Sequence, residues 1–236
     1  MKRITKREVA PEFHRIPHFN RHISNMTHDD IVSDIPVEFP FNCYIQEKID
    51  GASTGISWLN DGPVVRNREN ILKKGYSKIK TPAKKQFTST WNWIHDHEDD
   101  IKEIEKLWMS PITIYGEWMW FKHSIFYDNI PDWFIAYDIW SVEDRKFLSP
   151  EIVEKLLSQT KIFSIKSCKT IFTSIEEIIL KSEMESKYRN GIVEGIVLKT
   201  AKGDFLDQTW KVVNKHFVRR NDFNISEPIK NIKIPT

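Results

Sequence analysis

The stretch Glu47-Lys48-Ile49-Asp50-Gly51 decides the organisation of this chain. Residues 42–47 predict a strand that ends at Lys48, and residues 54–59 predict a second strand after the Asp-Gly turn. Lys48 is therefore expected at a strand end that faces a cleft. An amine that loses its proton in a cationic pocket is a competent nucleophile, which makes Lys48 a candidate catalytic residue.

The two residues that close this stretch have separate expected roles. Asp50 supplies a fixed negative charge that orients neighbouring cations. Gly51 lets the backbone turn close to a bound ligand where a Cβ would intrude. The alternative is an ordinary hairpin turn, because Lys-x-Asp-Gly also occurs by chance at protein surfaces. The rest of the chain has to decide between the two interpretations.

Composition predicts one main domain with small appendages. The chain has 236 residues, of which 40% are hydrophobic and 12% aromatic, enough to bury one substantial core. We expect an N-terminal lead-in at residues 1–40, packed on a main domain at residues 41–220, and a C-terminal tail at residues 221–236. The net charge of +2 is nearly balanced, so a nucleic-acid partner has to be inferred from local basic patches.

Three features favour an intracellular protein, cytoplasmic or nuclear. The apolar runs are far shorter than the roughly 20 residues that span a bilayer. The basic start is followed by Glu8, Pro11 and Glu12, where a secretory signal would have its apolar segment. Cys43 and Cys168 form no disulfide framework, and a reducing compartment is the default for such a chain.

Basic residues follow the second predicted strand. The chain returns after a turn at residues 60–63 and is expected to bring Arg66 and Arg68 to the cleft, where only one of them should enter. The basic run beyond them is either a solvated face or a surface where a polyanion meets the cleft. Its members are Lys73, Lys74, Lys78, Lys80, Lys84 and Lys85.

The remaining elements are predicted to form the scaffold. Residues 82–108 predict two helices or one kinked helix, and residues 149–159 and 174–188 predict two more, the last with a Ser174–Glu177 capping box. Strands are predicted at residues 111–120, 133–140, 192–200 and 209–213. His14, His18, His22 and His28 lack the i, i+4 pairing of a helical metal site, so we expect surface or locally hydrogen-bonded histidines.

Five short motifs stand in a fixed order along the chain, namely residues 47–51, Arg66 to Arg68, Tyr115-Gly116-Glu117, Glu194-Gly195 and Lys211. In these motifs the chain resembles the covalent nucleotidyltransferase superfamily of ATP-dependent DNA and RNA ligases and mRNA capping enzymes. Its closest resemblance is to RNA ligases of the phage T4 RNA ligase 2 type. The resemblance implies an α+β fold, a nucleotidyltransferase domain (ATP-grasp-like) of antiparallel sheets with flanking helices.

The resemblance also implies a role for each motif. Lys48 would attack the α-phosphorus of ATP to form lysyl-AMP, and Glu194 would hold Mg²⁺ or Mn²⁺ directly or through water. Glu117 would accept hydrogen bonds from the ribose hydroxyls, and Tyr137 would stack on adenine. Lys211 would act on the phosphates as a second catalytic residue. Further nucleotide contacts are expected from Glu47, Ile49, Asp50, Ser53, Arg68 and Lys199.

The activity implied is the sealing of RNA ends. AMP would pass from the lysine to a 5'-phosphate end, and a 3'-hydroxyl would then displace it. Two alternatives remain, a capping-type guanylyltransferase and a non-catalytic RNA-binding module with a relict nucleotide pocket. The first is disfavoured because the chain is too short for the additional oligonucleotide-binding barrel of capping enzymes. A partner protein or a dimer is expected to supply the missing RNA-binding surface.

The chain departs from the family pattern at two positions. The resembled RNA ligases usually carry lysines at alternate positions of the last strand, whereas Lys211 is followed by Val213. We expect Lys199 or Lys215 to replace the missing cation, and Val213→Lys to accelerate the reaction if neither does. Ser53 stands where asparagine is common, and its hydroxyl can still hydrogen-bond a phosphate oxygen.

Overall fold

The computed structural model describes residues 5–28, 30–33, 35, 37–59, 62–74, 86–218 and 228–235. Two antiparallel sheets face each other across a cleft, with the helices after residue 89 packed on their outer faces, and the predicted α+β class is confirmed. Four residues of the basic run, Lys78, Lys80, Lys84 and Lys85, lie outside the described residues.

The first sheet has four strands in the order β10-β9-β1-β8. Its members are β1 Phe41–Lys48, β8 Cys168–Phe172, β9 Gly195–Lys202 and β10 Phe205–Val213. The strand predicted at residues 192–200 begins at Gly195 instead, because residues 192–194 lead into the sheet without pairing to β1. We call this the phosphate-side sheet, after the three lysines that it turns to the cleft.

The second sheet has six strands in the order β4-β3-β2-β5-β6-β7. We call it the nucleoside-side sheet. Its members are β2 Ala52–Leu59, β3 Gly62–Asn67, β4 Ile71–Leu72, β5 Ile112–Trp118, β6 Phe134–Ser141 and β7 Lys146–Phe147. Only residues 49–51 separate β1 from β2, so the quoted stretch is the short connection that joins the two sheets.

Five helices are present in the described residues, α1 Lys6–Val9, α2 Thr90–Asp96, α3 Glu98–Trp108, α4 Pro150–Leu157 and α5 Ile175–Lys181. The predicted helical region up to residue 108 is therefore two helices that break at His97. The predicted helix at 174–188 ends at Lys181, and its predicted capping box is wrong. Glu177 accepts hydrogen bonds from the amide and hydroxyl of Thr173, one residue earlier than Ser174.

Alternation along the strands gives each sheet one apolar face and one face toward the cleft. On the nucleoside-side sheet, Ile56, Ile114 and Trp118 pack against the helices through Ile101 and Ile104. On the phosphate-side sheet, a separate cluster of Phe41, Cys43, Ile45, Ile196, Leu198, Trp210 and Val212 is buried on the face turned away from the cleft. The cleft-facing side chains are therefore spared from the core.

The N-terminal segment is a structural part of both sheets. The Thr113 hydroxyl donates to Val9 O, and Arg66 Nη1 donates to Ala10 O, which fixes the start of the segment on the nucleoside-side sheet. Further along, His18 forms a parallel bridge to Lys211 on the phosphate-side sheet. The segment predicted as a lead-in thus crosses from one sheet to the other.

The C-terminal residues 228–235 are also packed on the domain. Asn231 Nδ2 donates to Met119 O at 2.8 Å, and Asn231 Oδ1 accepts the Tyr127 amide at 3.0 Å. The ammonium of Lys230 lies 3.7 Å from the ring centroid of Trp120. This part of the predicted tail therefore braces the loop that carries Tyr127.

Candidate active site

The two sheets enclose a cleft of about 690 Å³ that contains most of the predicted site residues. Its walls are the cleft faces of both sheets, and the N-terminal segment contributes Phe13, Asp30 and Ile31. The predicted residues that border it are Lys48, Glu47, Ile49, Asp50, Ser53, Arg68, Glu117, Tyr137, Glu194, Lys199 and Lys211. Lys48 and Lys211 are 163 residues apart in the sequence, yet both border this cleft. Motifs that are distant in sequence therefore converge in space.

Lys48 is the last residue of β1 and pairs in register with Gly195 of β9. A Cβ at position 195 would lie 2.2 Å from Val212 O, so only glycine lets β9 and β10 approach as they do beside the lysine. The preceding residue, Glu194, then stands directly at the lysine. Lys48 Nζ lies 2.7 Å from both carboxylate oxygens of Glu194.

The surroundings of Lys48 are acidic, which corrects the expectation of a cationic pocket. Burial lowers the pKa of Lys48, but the charges of Glu194, Asp50 and Glu117 outweigh it and raise the pKa above its usual value. Lys48 is therefore an ammonium ion paired with Glu194. It has to lose a proton before it can act as a nucleophile.

Asp50 is held rigidly at the connection between the sheets. Its Oδ2 accepts the amides of Ser124 at 2.6 Å and Ile125 at 3.1 Å, and its own amide donates to the Tyr127 hydroxyl at 2.9 Å. This agrees with a fixed negative charge near the lysine. At position 51, a Cβ would lie 2.7 Å from Met119 Sδ and 3.0 Å from Trp118 O, so the protein itself requires glycine there, and the closeness of Gly51 to a ligand stays a prediction.

The nucleoside-side wall carries Ser53, Glu117 and Tyr137. Ser53 pairs in register with Glu117 across β2 and β5, so the two side chains share the cleft face. The Ser53 and Tyr137 hydroxyls lie 3.2 Å apart. A β-bulge in β6 sets Asp138 opposite Tyr115 and Ala136 opposite Gly116, which leaves Tyr137 as the extra residue. The bulge lets Tyr137 and Asp138 both border the cleft.

Glu117 combines burial with an unused acceptor. Among the described residues, its Oε2 is buried and has no hydrogen-bond partner. Burial raises the pKa of Glu117 to about 8, against the opposing effect of the Lys48 charge. A buried carboxylate oxygen that faces a cleft is an acceptor suited to a ligand hydroxyl.

Arg68 borders the cleft, whereas Arg66 is buried and bonded to the backbone. Arg66 donates to Ala10 O at 2.7 Å, Asn67 O at 3.1 Å and Arg68 O at 3.3 Å. Strand alternation does not explain the difference, because residues two apart share a face. The two arginines diverge because β3 ends at Asn67, between them.

The other two lysines of the phosphate-side wall are also paired with carboxylates. Lys199 is 1% exposed and donates to Asp138 Oδ1 at 2.7 Å and to Tyr137 O at 3.0 Å. This ion pair joins the two walls beneath Tyr137. Lys211 Nζ lies 3.0 Å from Oδ1 of Asp30 in the N-terminal segment.

The structure also explains the valine at position 213. Val213 is 2% exposed, its amide donates to the Ser24 hydroxyl, and its carbonyl accepts the Asn25 amide. The N-terminal segment thus covers the position where the resembled ligases carry a lysine. Lys215 pairs with Glu183 at 3.4 Å and does not border the cleft, so it is no replacement for the missing cation.

Glu47 and Ile49 flank the lysine, and their side chains make contacts within the protein. The carboxylate of Glu47 accepts the Ser186 hydroxyl at 2.5 Å and the Lys187 amide at 3.0 Å. Ile49 is 3% exposed and packs with Met119, Tyr127, Ile135 and Tyr188. Their side chains anchor the loops around Lys48, and their nucleotide contacts stay a prediction.

The cleft residues that sequence reasoning did not single out include Asp30, Phe13 and Asp138. Asp138 had a signal, because it is a charged residue inside an otherwise apolar strand. Asp30 had none, since its partner Lys211 lies 181 residues away. His18 is fully buried and its Nδ1 contacts the hydroxyl of Ser24, six residues later, which agrees with the predicted local hydrogen bonding.

The carboxylate of Glu194 beside Lys48 suits a hard divalent cation whose other ligands come from a bound nucleotide and water. No cluster of three or more His, Cys, Asp or Glu side chains that could hold a metal exists within the described residues. Mg²⁺ is commonly bound by one or two carboxylates together with substrate phosphates and water. Glu194, which borders the cleft beside Lys48, fits that pattern.

The sequence and the fold together define the class of this protein. Residues 42–215, most of the chain, match the RNA ligase family, and the chain belongs to that family. No match was found among the curated proteins. Within the family, the resemblance to the phage T4 RNA ligase 2 type stays a prediction.

Solved structures of a Naegleria gruberi RNA ligase share the fold. A mutant with ATP and Mn is 16% identical with a TM-score of 0.52, over 74% of this chain and 49% of that chain. A mutant with AMP and Mn is 15% identical with a TM-score of 0.53, over 74% and 50%. The form with PPi is 19% identical with a TM-score of 0.51, over the same shares. This chain therefore spans about half the length of those ligases.

None of its described helices has the length and apolar character needed to cross a membrane.

Proposed function

We propose that this chain is an ATP-dependent RNA ligase that seals 5'-phosphate to 3'-hydroxyl ends through a lysyl-AMP on Lys48. The observation that carries the proposal is the convergence of Lys48, Glu117, Glu194 and Lys211 in one cleft, in a chain of the RNA ligase family. The similar ligase that contains ATP or AMP with Mn supports ATP and a divalent cation as the co-reactants.

In the first step, Lys48 Nζ would attack the α-phosphorus of ATP. Lys48 first gives up one ammonium proton. A P–N bond then forms, the P–O bond to pyrophosphate breaks, and the nitrogen releases a second proton; both protons pass to solvent or to the departing group. The ammonium of Lys211 faces the same cleft, where it would offset negative charge on the phosphates. A divalent cation at Glu194 would supply further charge stabilisation when bound.

In the second and third steps, the AMP would move from the protein to RNA. An oxygen of the RNA 5'-phosphate attacks the α-phosphorus of the bound AMP, the P–N bond breaks, and Lys48 regains a proton. The 3'-hydroxyl then attacks the phosphorus of the original 5'-phosphate and releases AMP. Glu117 and Tyr137 would hold the ribose and the base throughout, since both border the cleft.

Covalent labelling tests this proposal directly. Protein first treated with pyrophosphate to remove bound AMP is incubated with Mg²⁺ and α-labelled ATP or GTP, then separated under denaturing conditions. Label from ATP that is absent in Lys48→Arg supports the proposal, and sealing of a 5'-phosphorylated RNA completes it. Label from GTP alone would indicate a guanylyltransferase. No label from either nucleotide would leave the relict-pocket alternative. A partner protein or dimer that adds RNA-binding surface stays a prediction. The same sealing reaction tests the need for a partner protein, because it contains only the purified chain.

A further inference from the structure

The N-terminal segment is bonded along the outer edge of β10, the strand that carries Lys211. The Lys211 amide donates to Pro17 O, and the Phe19 amide donates to Lys211 O, both at 2.9 Å. Two residues further on, the Val213 amide donates to the Ser24 hydroxyl at 2.9 Å. These bonds attach the segment to the strand independently of any charge.

Asp30 uses its two carboxylate oxygens for different purposes. Oδ2 accepts the Thr27 amide and the Thr27 hydroxyl, both at 3.0 Å, and lies 3.5 Å from Nε2 of the buried His18. Oδ1 lies 3.0 Å from the ammonium of Lys211. The side chains of Asp30 and Lys211 are only 13% and 15% exposed. The carboxylate is therefore fixed by its own segment and aimed at the lysine.

The ionisation state of Asp30 agrees with this arrangement. Burial raises the pKa of Asp30, but the Thr27 hydrogen bonds and the charge of Lys211 together hold it well below its usual range. Asp30 is therefore a carboxylate at any pH at which the protein would work.

We propose that Asp30 is a positioning residue that holds the ammonium of Lys211 in the cleft for the transfer of AMP. A lysine side chain has a flexible four-carbon stem, and ordering it at the moment of reaction would cost conformational entropy. An ammonium group carries three N–H donors, so the contact with Asp30 does not by itself prevent Lys211 from donating to phosphate oxygens. The inference rests on the proposed function and adds to it that the N-terminal segment belongs to the nucleotide site.

The best test variant is Asp30→Asn. Asparagine has nearly the same shape, and its carbonyl oxygen can still accept the two Thr27 hydrogen bonds, but the negative charge at Lys211 is lost. Glu38→Gln is the matched control, because it removes an exposed carboxylate of the same segment that does not border the cleft. If Asp30→Asn fails to fold, Asp30→Ser removes the charge and keeps an acceptor for Thr27.

The measurement is single-turnover formation of lysyl-AMP over a range of ATP concentrations, with AMP-free protein. We expect Asp30→Asn to lower the maximal rate by about tenfold and to change the ATP dissociation constant much less. Lys211→Ala should lower the rate by about 10² to 10³. The double variant should match Lys211→Ala, because Asp30 acts through Lys211. Glu38→Gln should equal the wild type.

Several results would overturn the inference. An unchanged maximal rate in Asp30→Asn would do so, and so would a further loss when the substitution is added to Lys211→Ala. A faster reaction or tighter ATP binding in Asp30→Asn would make Asp30 a competitor of the phosphates. In all these cases the wild type still becomes labelled, so the proposed function survives. A wild type that accepts no label from ATP overturns both.

Discussion

The two walls of the cleft differ in how their polar side chains are partnered. On the phosphate-side sheet, Lys48 and Lys199 lie 2.7 Å from a carboxylate oxygen, and Lys211 lies 3.0 Å from one. On the nucleoside-side sheet, Tyr137 offers a ring and Glu117 a buried acceptor oxygen that lacks a partner in the described part of the chain. The lysines of the phosphate-side wall are thus paired with carboxylates, whereas the nucleoside-side wall has a buried acceptor oxygen for which the described residues supply no donor.

This difference separates chemistry from recognition. We infer that changes on the phosphate-side wall act mainly on the rate of AMP transfer, because positioned charges act on the transition state. Changes on the nucleoside-side wall should act mainly on nucleotide affinity, because the base and ribose do not change during the reaction. The following predictions test that division.

The largest effect is expected at Lys48. Lys48→Arg should abolish lysyl-AMP formation, because a guanidinium keeps its proton and is no nucleophile, yet it preserves the charge paired with Glu194. Arginine is preferable to alanine, since Lys48→Ala would leave the 3% exposed Glu194 side chain without its ion pair. Intact mass after ATP treatment is the measurement. An added AMP on the arginine variant would mean that the nucleophile is another residue.

The next effect concerns the phosphate cations. Lys211→Ala should slow single-turnover adenylation by about 10² to 10³, the scale for the loss of one preorganised charge-stabilising group. Lys215→Ala is the control and should be silent, because Lys215 pairs with Glu183 outside the cleft. If instead Lys215→Ala slows the reaction and Lys211→Ala does not, the assignment of the two lysines is reversed.

Position 213 shows where the sequence misleads. The family comparison suggests that Val213→Lys could accelerate the reaction, but the residue is 2% exposed and covered by the N-terminal segment. Burying an unpaired ammonium there is unfavourable. We expect Val213→Lys to lower the melting temperature by about 4 °C or more, the effect of one to two kcal/mol in a protein of this size, without faster adenylation. A faster and equally stable variant would contradict this.

The local motifs were predictable because their information lies in a few adjacent residues. A strand that ends at Lys48, a short turn and a second strand follow from two strand-forming runs and the Asp-Gly turn between them, and they fix the connection between the sheets. The N-terminal segment was not predictable, because its pairing with β10 joins residues almost 200 positions apart. The bulge that turns both Tyr137 and Asp138 to the cleft was not predictable either, because a strand pattern with a period of two places neighbouring residues on opposite faces.

On the nucleoside-side wall, Tyr137→Ala should weaken ATP binding by about 1 to 3 kcal/mol, the usual scale for the loss of a stacking partner. The maximal adenylation rate at saturating ATP should change much less. Tyr137→Phe is the matched control, since it keeps the ring and removes only the hydroxyl that contacts Ser53. Isothermal titration with a non-hydrolysable ATP analogue gives the affinities. A slower maximal rate with unchanged ATP affinity would contradict the prediction that the nucleoside-side wall acts mainly on nucleotide affinity.

The smallest expected effect is a pH dependence set by Glu117. Because burial raises its pKa to about 8, Glu117 is mostly protonated at pH 7 and mostly ionised at pH 9. The ionised carboxylate is the better acceptor for two ribose hydroxyls, so ATP affinity should rise with pH, by up to about tenfold over these two pH units. The raised pKa also means that the folded state binds this proton more tightly than the unfolded chain. The corresponding stability is complete below about pH 4.5 and is lost as the pH rises through 8.

Glu117→Gln separates this titration from all others in the cleft. The amide cannot ionise, so both the rise in ATP affinity and the Glu117 part of the stability loss should disappear in the variant. Lys48 titrates above this range because its pKa is raised, and it should contribute little between pH 7 and 9. Binding is measured with the same non-hydrolysable analogue at fixed ionic strength. If Glu117→Gln keeps the pH dependence of the wild type, Glu117 is not the titrating group and the prediction is wrong.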